Sequence, residues 1–159
     1  MSRKNRKNSE LEKTLKKVRR NFNKFIQLRD LSRTVSGEII AICLACNSQR
    51  FINCSYDLKF FHASHYWNDN DYQSVRFDVD NVHGCCAKCN TPSKIGGMSG
   101  NLSEFQIGII DKIGIIGFEQ LETRRNQTKK WTITELEIIN KDCLAKIKEL
   151  KKYLGGVVS

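Results

Sequence analysis

Two C-x-x-C pairs stand in this chain, Cys43 with Cys46 and Cys86 with Cys89, leaving Cys54, Cys85 and Cys143 over. A C-x-x-C turn presents two thiolates to one ion, and two such turns complete the tetrahedral all-sulfur site that suits Zn2+. About forty residues lie between the pairs, so a folded segment is held between the halves of the clamp. Structural zinc contributes on the order of 10–16 kcal/mol in small peptides. A redox C-x-x-C or plainly buried thiols are the competing readings, and a second pair in one chain favours metal over both. Cys85 could replace Cys86 as a ligand, but the C-x-x-C register selects Cys86. Between and beside the pairs lie all three histidines: His62 and His65 in F-H-A-S-H-Y-W, and His83 in N-V-H-G-C-C-A-K-C-N, a run that begins at Asn81 and ends at Asn90.

These segments resemble the His-Asn-His, or ββα-metal, nuclease motif. In that motif a histidine ends the first strand, an asparagine precedes the first Cys of a C-x-x-C by five residues, and a metal-binding His or Asn follows the second Cys. The matching positions are His65, Asn81 and Asn90. The C-x-x-C-N ending is similar to that of phage endonuclease VII. A longer resemblance, over residues 38–153, is to the phage lambda NinG (Rap) recombination family. It runs through the first C-x-x-C, H-A-S-H-Y, Arg76-Phe77, N-V-H-x-x-C-x-x-C-N, Ser99-Gly100-Asn101-Leu102, Lys130-Trp131-Thr132-Ile133 and the closing helix. It implies an endonuclease that acts on branched recombination intermediates such as Holliday junctions.

The residue types suit that chemistry. A neutral imidazole, with a pKa near about 6.5, accepts a proton from water at physiological pH, the role expected of His65. A divalent ion, Mg2+ or Mn2+, would neutralise charge on the phosphate and its leaving oxygen, with Asn90 offering its carbonyl oxygen. Asn81 would bond backbone near His65 and fix the ring, and His83, one strand period on, would point to the same face as Asn81. The imidazole and the Asn90 oxygen are expected to converge on one scissile phosphate. The chain departs from the related pattern at His62 and Ser64, where that pattern has Asp and Gly. An imidazole at position 62 favours softer transition ions over Mg2+, and Asp57, Asp69 or Asp71 could supply a carboxylate. The rival functional reading is a non-catalytic, zinc-stabilised module that binds nucleic acid.

The elements that must position these groups are an α+β set: a small zinc-stapled ββα-metal (His-Me finger) core between a basic N-terminal helix and C-terminal helices. The expected divisions are 1–34, 35–101 and 102–159. Residues 1–8 are expected to be disordered. Residues 9–31 read as a helix opened by a Ser9–Glu12 capping box, with Leu11, Leu15, Val18, Phe22 and Ile26 at helical spacing. Short strands are expected around the Cys43 turn, before His65 and near Val75–Phe77, with a short helix after Cys86 and a loop over 91–100. Helices follow over 102–113, over 118–124 and from Thr132, whose capping box with Glu135 leads a stripe of Leu136, Ile139, Cys143, Ile147 and Leu150. That stripe is either core or the seam of a homodimer.

Residues 1–33 hold 12 Lys and Arg against 3 Asp and Glu, so nearly all of the chain's +10 net charge sits there. Such a segment neutralises phosphates, and its face of Lys16, Lys17, Arg19, Arg20 and Lys24 is expected to track DNA. A solubilising tail or a patch for acidic membranes is the plainer reading of charge alone. Arg76, Lys88 and His83 are expected as further DNA contacts, with Lys94, Arg124 and Arg125 as secondary ones. No apolar run is long enough to span a membrane, and the basic start lacks a signal's apolar stretch. The expected location is the cytoplasm of a host cell, with the gene phage- or prophage-encoded.

Overall fold

The computed structural model describes residues 3–91 and 97–158, with side chains from residue 9 onward. Helix α1 spans Arg3–Arg29. Its apolar stripe, spaced by four residues, places Val18, Phe22 and Ile26 at 2% exposure or less, and Leu28 beside it is fully buried. The helix differs from the expected 9–31 at both ends. It begins at Arg3, so Ser9 and Glu12 lie inside it and cap nothing. It stops before Leu31 because that residue pairs with Ala41 in a sheet.

The first sheet is an antiparallel meander of β1 (Leu31–Arg33), β2 (Ile39–Ile42) and β3 (Gln49–Phe51). The Cys43–Cys46 turn joins β2 to β3. The second sheet is the hairpin of β4 (Phe61–His65) and β5 (Val82–Cys86), with Phe61 opposite Cys86 and His65 opposite Val82. One helical turn, α2 (Ala87–Asn90), follows at once. The strand expected near Val75–Phe77 does not form. Gln73–Val75 is a 3-10 turn instead, and the Val75 and Arg76 carbonyls accept hydrogen bonds from the side chains of Asn81 and His65. Most of the loop expected over 91–100 lies outside the described residues.

Helix α3 (Leu102–Arg125) merges the two helices expected there, with a break at Gly114, where φ is 76° and ψ is 163°. Gly108 stays helical for a steric reason. A Cβ at that position would lie 2.4 Å from the Leu44 carbonyl oxygen, so α3 rests directly on the Cys43–Cys46 turn. Helix α4 (Ile133–Leu154) starts as expected: Thr132 accepts from the Glu135 amide, and the Glu135 carboxylate accepts from the Thr132 amide. It ends at Gly155, where φ is 75°.

Helices α1 and α4 run side by side. Asn21 donates to Asn140 at 2.7 Å, and Leu28 shares a core cluster with Leu154. Cys143, Ile139, Ile147 and Leu150 pack on Phe22, Phe25 and Ile26. The α4 stripe therefore packs against α1 of the same chain as core. Among the described residues, no helix is long and apolar enough to cross a membrane.

Gly108→Ala should lower the thermal midpoint, although Ala is the better helix former by about 1 kcal/mol. The added methyl meets backbone, which cannot rotate away, and overpacking typically costs about 1–3 kcal/mol. An unchanged or raised midpoint in a thermal melt would contradict the close seating of α3.

Candidate functional site

The ligand atoms of Cys43, Cys46, Cys86 and Cys89 all lie within 4.8 Å of one another, in a group that could hold a metal ion such as zinc. The geometry fits. At a Zn–S distance of about 2.3 Å a regular tetrahedron has edges of about 3.8 Å, and the Cys46 and Cys86 sulfurs are 3.8 Å apart. Each half of the cluster is a hydrogen-bonded turn. Cys43 donates its amide to Ser48, Asn47 donates to Cys43, and the Cys89 amide points at the Cys86 sulfur. Strand alternation turns Cys85 and Cys86 to opposite faces of β5, which places Cys86 in the cluster and buries Cys85. The Cys85 thiol instead donates to Cys43 and lowers the pKa of the Cys43 thiol. Cys143 is buried among the α1 and α4 side chains, and burial raises its thiol to about 11. Cys54 is exposed.

His65 closes β4. Its Nε2 donates to the Arg76 carbonyl at 3.1 Å, so the proton sits on Nε2 and Nδ1 is the accepting nitrogen. Burial pushes the imidazole below its ordinary 6.5, and the Asp69 carboxylate offsets this only in part. The ring is therefore neutral at pH 7. Asp69, 4% exposed, is held by Arg19 of α1 at 3.1 Å, and its carbonyl accepts two bonds from Arg76. Asn81, fully buried, clamps the chain just after His65. It accepts from the Trp67 amide at 2.8 Å and donates to the Trp67 and Val75 carbonyls at 3.0 Å each.

Asn90 belongs to a second polar group. Its Oδ1 accepts from Ser64 Oγ at 2.6 Å, and its Nδ2 donates to His62 Nδ1 at 3.0 Å. His62 Nε2 in turn donates to the Lys59 carbonyl at 2.9 Å. Both His62 nitrogens are thus engaged within the chain, and the ring holds Asn90. Ser64, known from the sequence only as a departure from a pattern, is the link between Asn90 and the strand that carries His65. By strand alternation, His62 and Ser64 leave one face of β4 and His65 leaves the other. The expected convergence of the His65 imidazole and the Asn90 oxygen is not found: Asn90 is bonded to Ser64 and His62 on one face of β4, and His65 leaves the other. Asp57 accepts from the amides of Asn53 and Cys54, and Asp69 is paired with Arg19, so neither supplies a carboxylate to Asn90. Among the described residues the cysteine cluster is the one group of three or more such side chains placed to hold a metal.

Two expected DNA contacts are corrected by burial. His83 is 1% exposed, with Nδ1 accepting from Arg29 and Nε2 donating to the Asp80 carbonyl. Arg76 is 6% exposed and bound to Asp69. Neither has surface to offer a phosphate. Lys88 is exposed on α2, and Lys16, Lys17, Arg19 and Arg20 are exposed on α1 beside a half-buried Lys24. An open groove of about 480 Å³ runs along this face past Arg20 and Asn23 to Gln27, whose amide donates to the Phe61 carbonyl of β4 at 2.6 Å. Arg124 is paired with Asp78 and Asp80, and Arg125 lies over the Trp67 ring. Lys94 lies outside the described residues.

Cys43→Ser and Cys89→Ser should each abolish bound metal, read by elemental analysis, and give unfolded or insoluble protein. A soluble, folded, metal-free variant by circular dichroism would sink the clamp. His83 adds a pH dependence. Burial, then the charges of Lys112 and Arg29, lower its pKa from 6.5 to about 4. Below pH 6.5 the unfolded chain takes up a proton that the folded chain refuses until about pH 4. The contribution is full above 6.5 and lost as pH falls through that window. Thermal midpoints should fall between those values, with a shallower slope in His83→Gln; equal slopes would exclude His83 as a source.

Residues 1–153 match the family model described as Bacteriophage Lambda NinG protein. Protein ninG of Salmonella phage P22 is 26% identical over 137 residues, covering 86% of this chain and 57% of that protein. Protein ninG of Escherichia phage lambda matches with the same identity and coverage. Protein ninG of Enterobacteria phage H19B is 32% identical over 89 residues, covering 56% of this chain and 41% of that protein. The chain thus spans somewhat over half the length of the P22 and lambda relatives it matches. No solved structure matches it. The chain belongs to the NinG family of lambda-type phages.

Proposed function

We propose that this chain is a metal-dependent DNA endonuclease of the His-Asn-His, ββα-metal type. The observation that carries the reading is the setting of His65. It is a neutral imidazole, anchored through Nε2 alone, at a strand end reached by Arg19 from the basic face of α1. The β4–β5 hairpin followed by α2 supports the reading, because a ββα-metal core would need two strands and then a helix in this order, and the C-x-x-C-N ending resembles that of endonuclease VII. Zn2+ in the cysteine cluster is the structural ion. The branched substrate, such as a Holliday junction, follows from the family resemblance, as does action in the host cytoplasm. Paired cuts in a symmetric junction would take two copies of the chain, one site each.

His65 Nδ1 takes the proton of the attacking water, while the bond from Nε2 to the Arg76 carbonyl and the Asn81 clamp fix the ring. Arg19, paired with Asp69 near the ring, would meet phosphate charge together with Lys16, Lys17, Arg20 and Lys24 along α1. Asn90 Oδ1, with one lone pair taken by Ser64, offers another to a divalent ion. Asn90 lies on the face of β4 away from His65, so Mg2+ or Mn2+ held there would stabilise charge on the phosphate and leaving oxygen only for a DNA strand that passes around the end of β4 to meet both groups. One protein oxygen without a carboxylate is a poor site for free Mg2+, so Asn90 would hold such an ion only together with ligands that DNA supplies.

The same feature favours the second reading, a zinc-stabilised module that binds nucleic acid without cutting it, because His62 stands where the related pattern has an acid. One assay separates the two. Wild type and His65→Ala are incubated with a four-way junction, a flap and plain duplex in Mg2+ or Mn2+. The nuclease reading expects equal binding, with cleavage reduced on the order of 10²–10⁴-fold in His65→Ala. Binding without cutting by wild type in any metal leaves the module. Duplex cut as fast as junction removes structure selectivity. If the α1 face makes roughly 6–10 phosphate contacts, affinity should drop about 10³–10⁵-fold from 50 to 200 mM salt.

A further inference from the structure

The segment between β3 and β4 carries a feature that the proposed chemistry leaves unused. Residues Ser55–Phe60 form a 3-10 turn that presents two aromatic rings with cations laid on them. Lys59 Nζ sits 3.4 Å from the centre of the Tyr56 ring and 4.7 Å from that of Phe60. The Arg50 guanidinium lies 4.2 Å from the centre of Phe60, and the two rings meet edge to face with centroids 6.4 Å apart. Tyr56 keeps 65% of its surface in solvent.

The turn is held from below. Leu58 is 4% exposed in the core, and Asp57 accepts from the amides of Asn53 and Cys54. That carboxylate is therefore occupied by backbone donors. No ion pair among the described residues engages Arg50, Lys59 or Lys88. A cleft of about 270 Å³ separates the Phe60 and Arg50 side from Lys88 on α2, with Ser48 and Gln49 in its wall. The patch also touches the candidate site: the Lys59 carbonyl accepts from His62, which accepts from Asn90.

We propose that Tyr56, Phe60, Arg50, Lys59 and Lys88 form a platform for unpaired DNA bases beside the candidate catalytic site. The chemistry is that of single-strand recognition, in which bases stack on exposed rings or guanidinium planes while unpaired cations take the phosphates. A paired duplex hides its base faces, so the rings add affinity only where strands separate, as at a branch point. The platform rests on the DNA-binding part of the proposed function and names the part of the substrate that it reads.

The test is binding by the full, metal-loaded chain, with no divalent ion added and cleavage not read. Fluorescence anisotropy compares a duplex interrupted by a short single-stranded thymidine gap with a fully paired duplex of equal length. Wild type should prefer the gapped DNA. Tyr56→Ala should weaken binding to it by roughly 5- to 150-fold, the range for one lost stacking contact, and leave the paired duplex unchanged. Tyr56→Phe should keep the preference, because the ring stays. A 2-aminopurine in the gap should be quenched by wild type and not by Tyr56→Ala. Lys59→Ala should weaken both DNAs and lower the salt slope by about one. The platform is overturned if wild type binds both DNAs equally, if Tyr56→Ala loses equally on both, or if no DNA is bound. Preference without later cutting would sink the nuclease reading alone, and cutting without preference would sink the platform alone.

Discussion

Cys43, Cys46, Cys86 and Cys89 draw together two turns that are some forty residues apart in the chain, and most of the molecule is arranged around that closure. One turn joins β2 to β3; the other joins β5 to α2. Fixing β5 fixes β4, its hairpin partner, and with it the register that places His62, Ser64 and His65. Fixing the first turn gives α3 its seat, because Gly108 lies against Leu44, while Phe105 and Ile109 fill the space beside Cys43 and Cys89. Among the described residues the sheets have strands of three to five residues, too short to set their own positions without such a tie.

Helix α1 serves two ends with its two faces. Phe22 and Ile26 are buried against α4 and the hairpin, and Val18 is fully buried on the same face; each contributes roughly 1.5–3 kcal/mol by leaving water. That packing holds the opposite, basic face rigidly beside β4. Arg19 can then reach Asp69 near His65, and Gln27 can bond the edge of β4. A free basic tail would carry the same charge, but it would not place one guanidinium at one strand end.

The polar interior is divided between support and display. Asn81 and His83 are fully or almost fully buried, with their bonds closed within the chain. Asp30 gathers the Gly84 amide, Arg29 and Lys112; burial opposes its charge, but these partners prevail and hold its carboxyl near 2. His65 and Asn90 differ in being half-buried, each anchored through part of its bonding capacity. The replacement of an acid by His62 changes the character of that group. The imidazole holds Asn90 by accepting its Nδ2–H, where an acid would have offered an oxygen ligand.

The pairing of the cysteines into a cluster that could bind a metal, the capping box of α4 and the apolar stripes of α1 and α4 were legible in residue types and spacing, because each depends on neighbours within one turn or one helix face. The role of Asn81 in bonding backbone next to His65 was legible too, through a family pattern. Other features were decided by contacts between distant segments. The second hairpin strand is 82–86, because Asn81 and His65 claim the carbonyls of 75 and 76. His83 and Arg76 are buried by α3, α1 and Asp69, which no local pattern records. The pairing of Asn90 with Ser64 and His62, on the face of β4 away from His65, also needed the folded chain. Sequence spacing sets which side chains share a face, but only the packing of one element on another determines what that face meets.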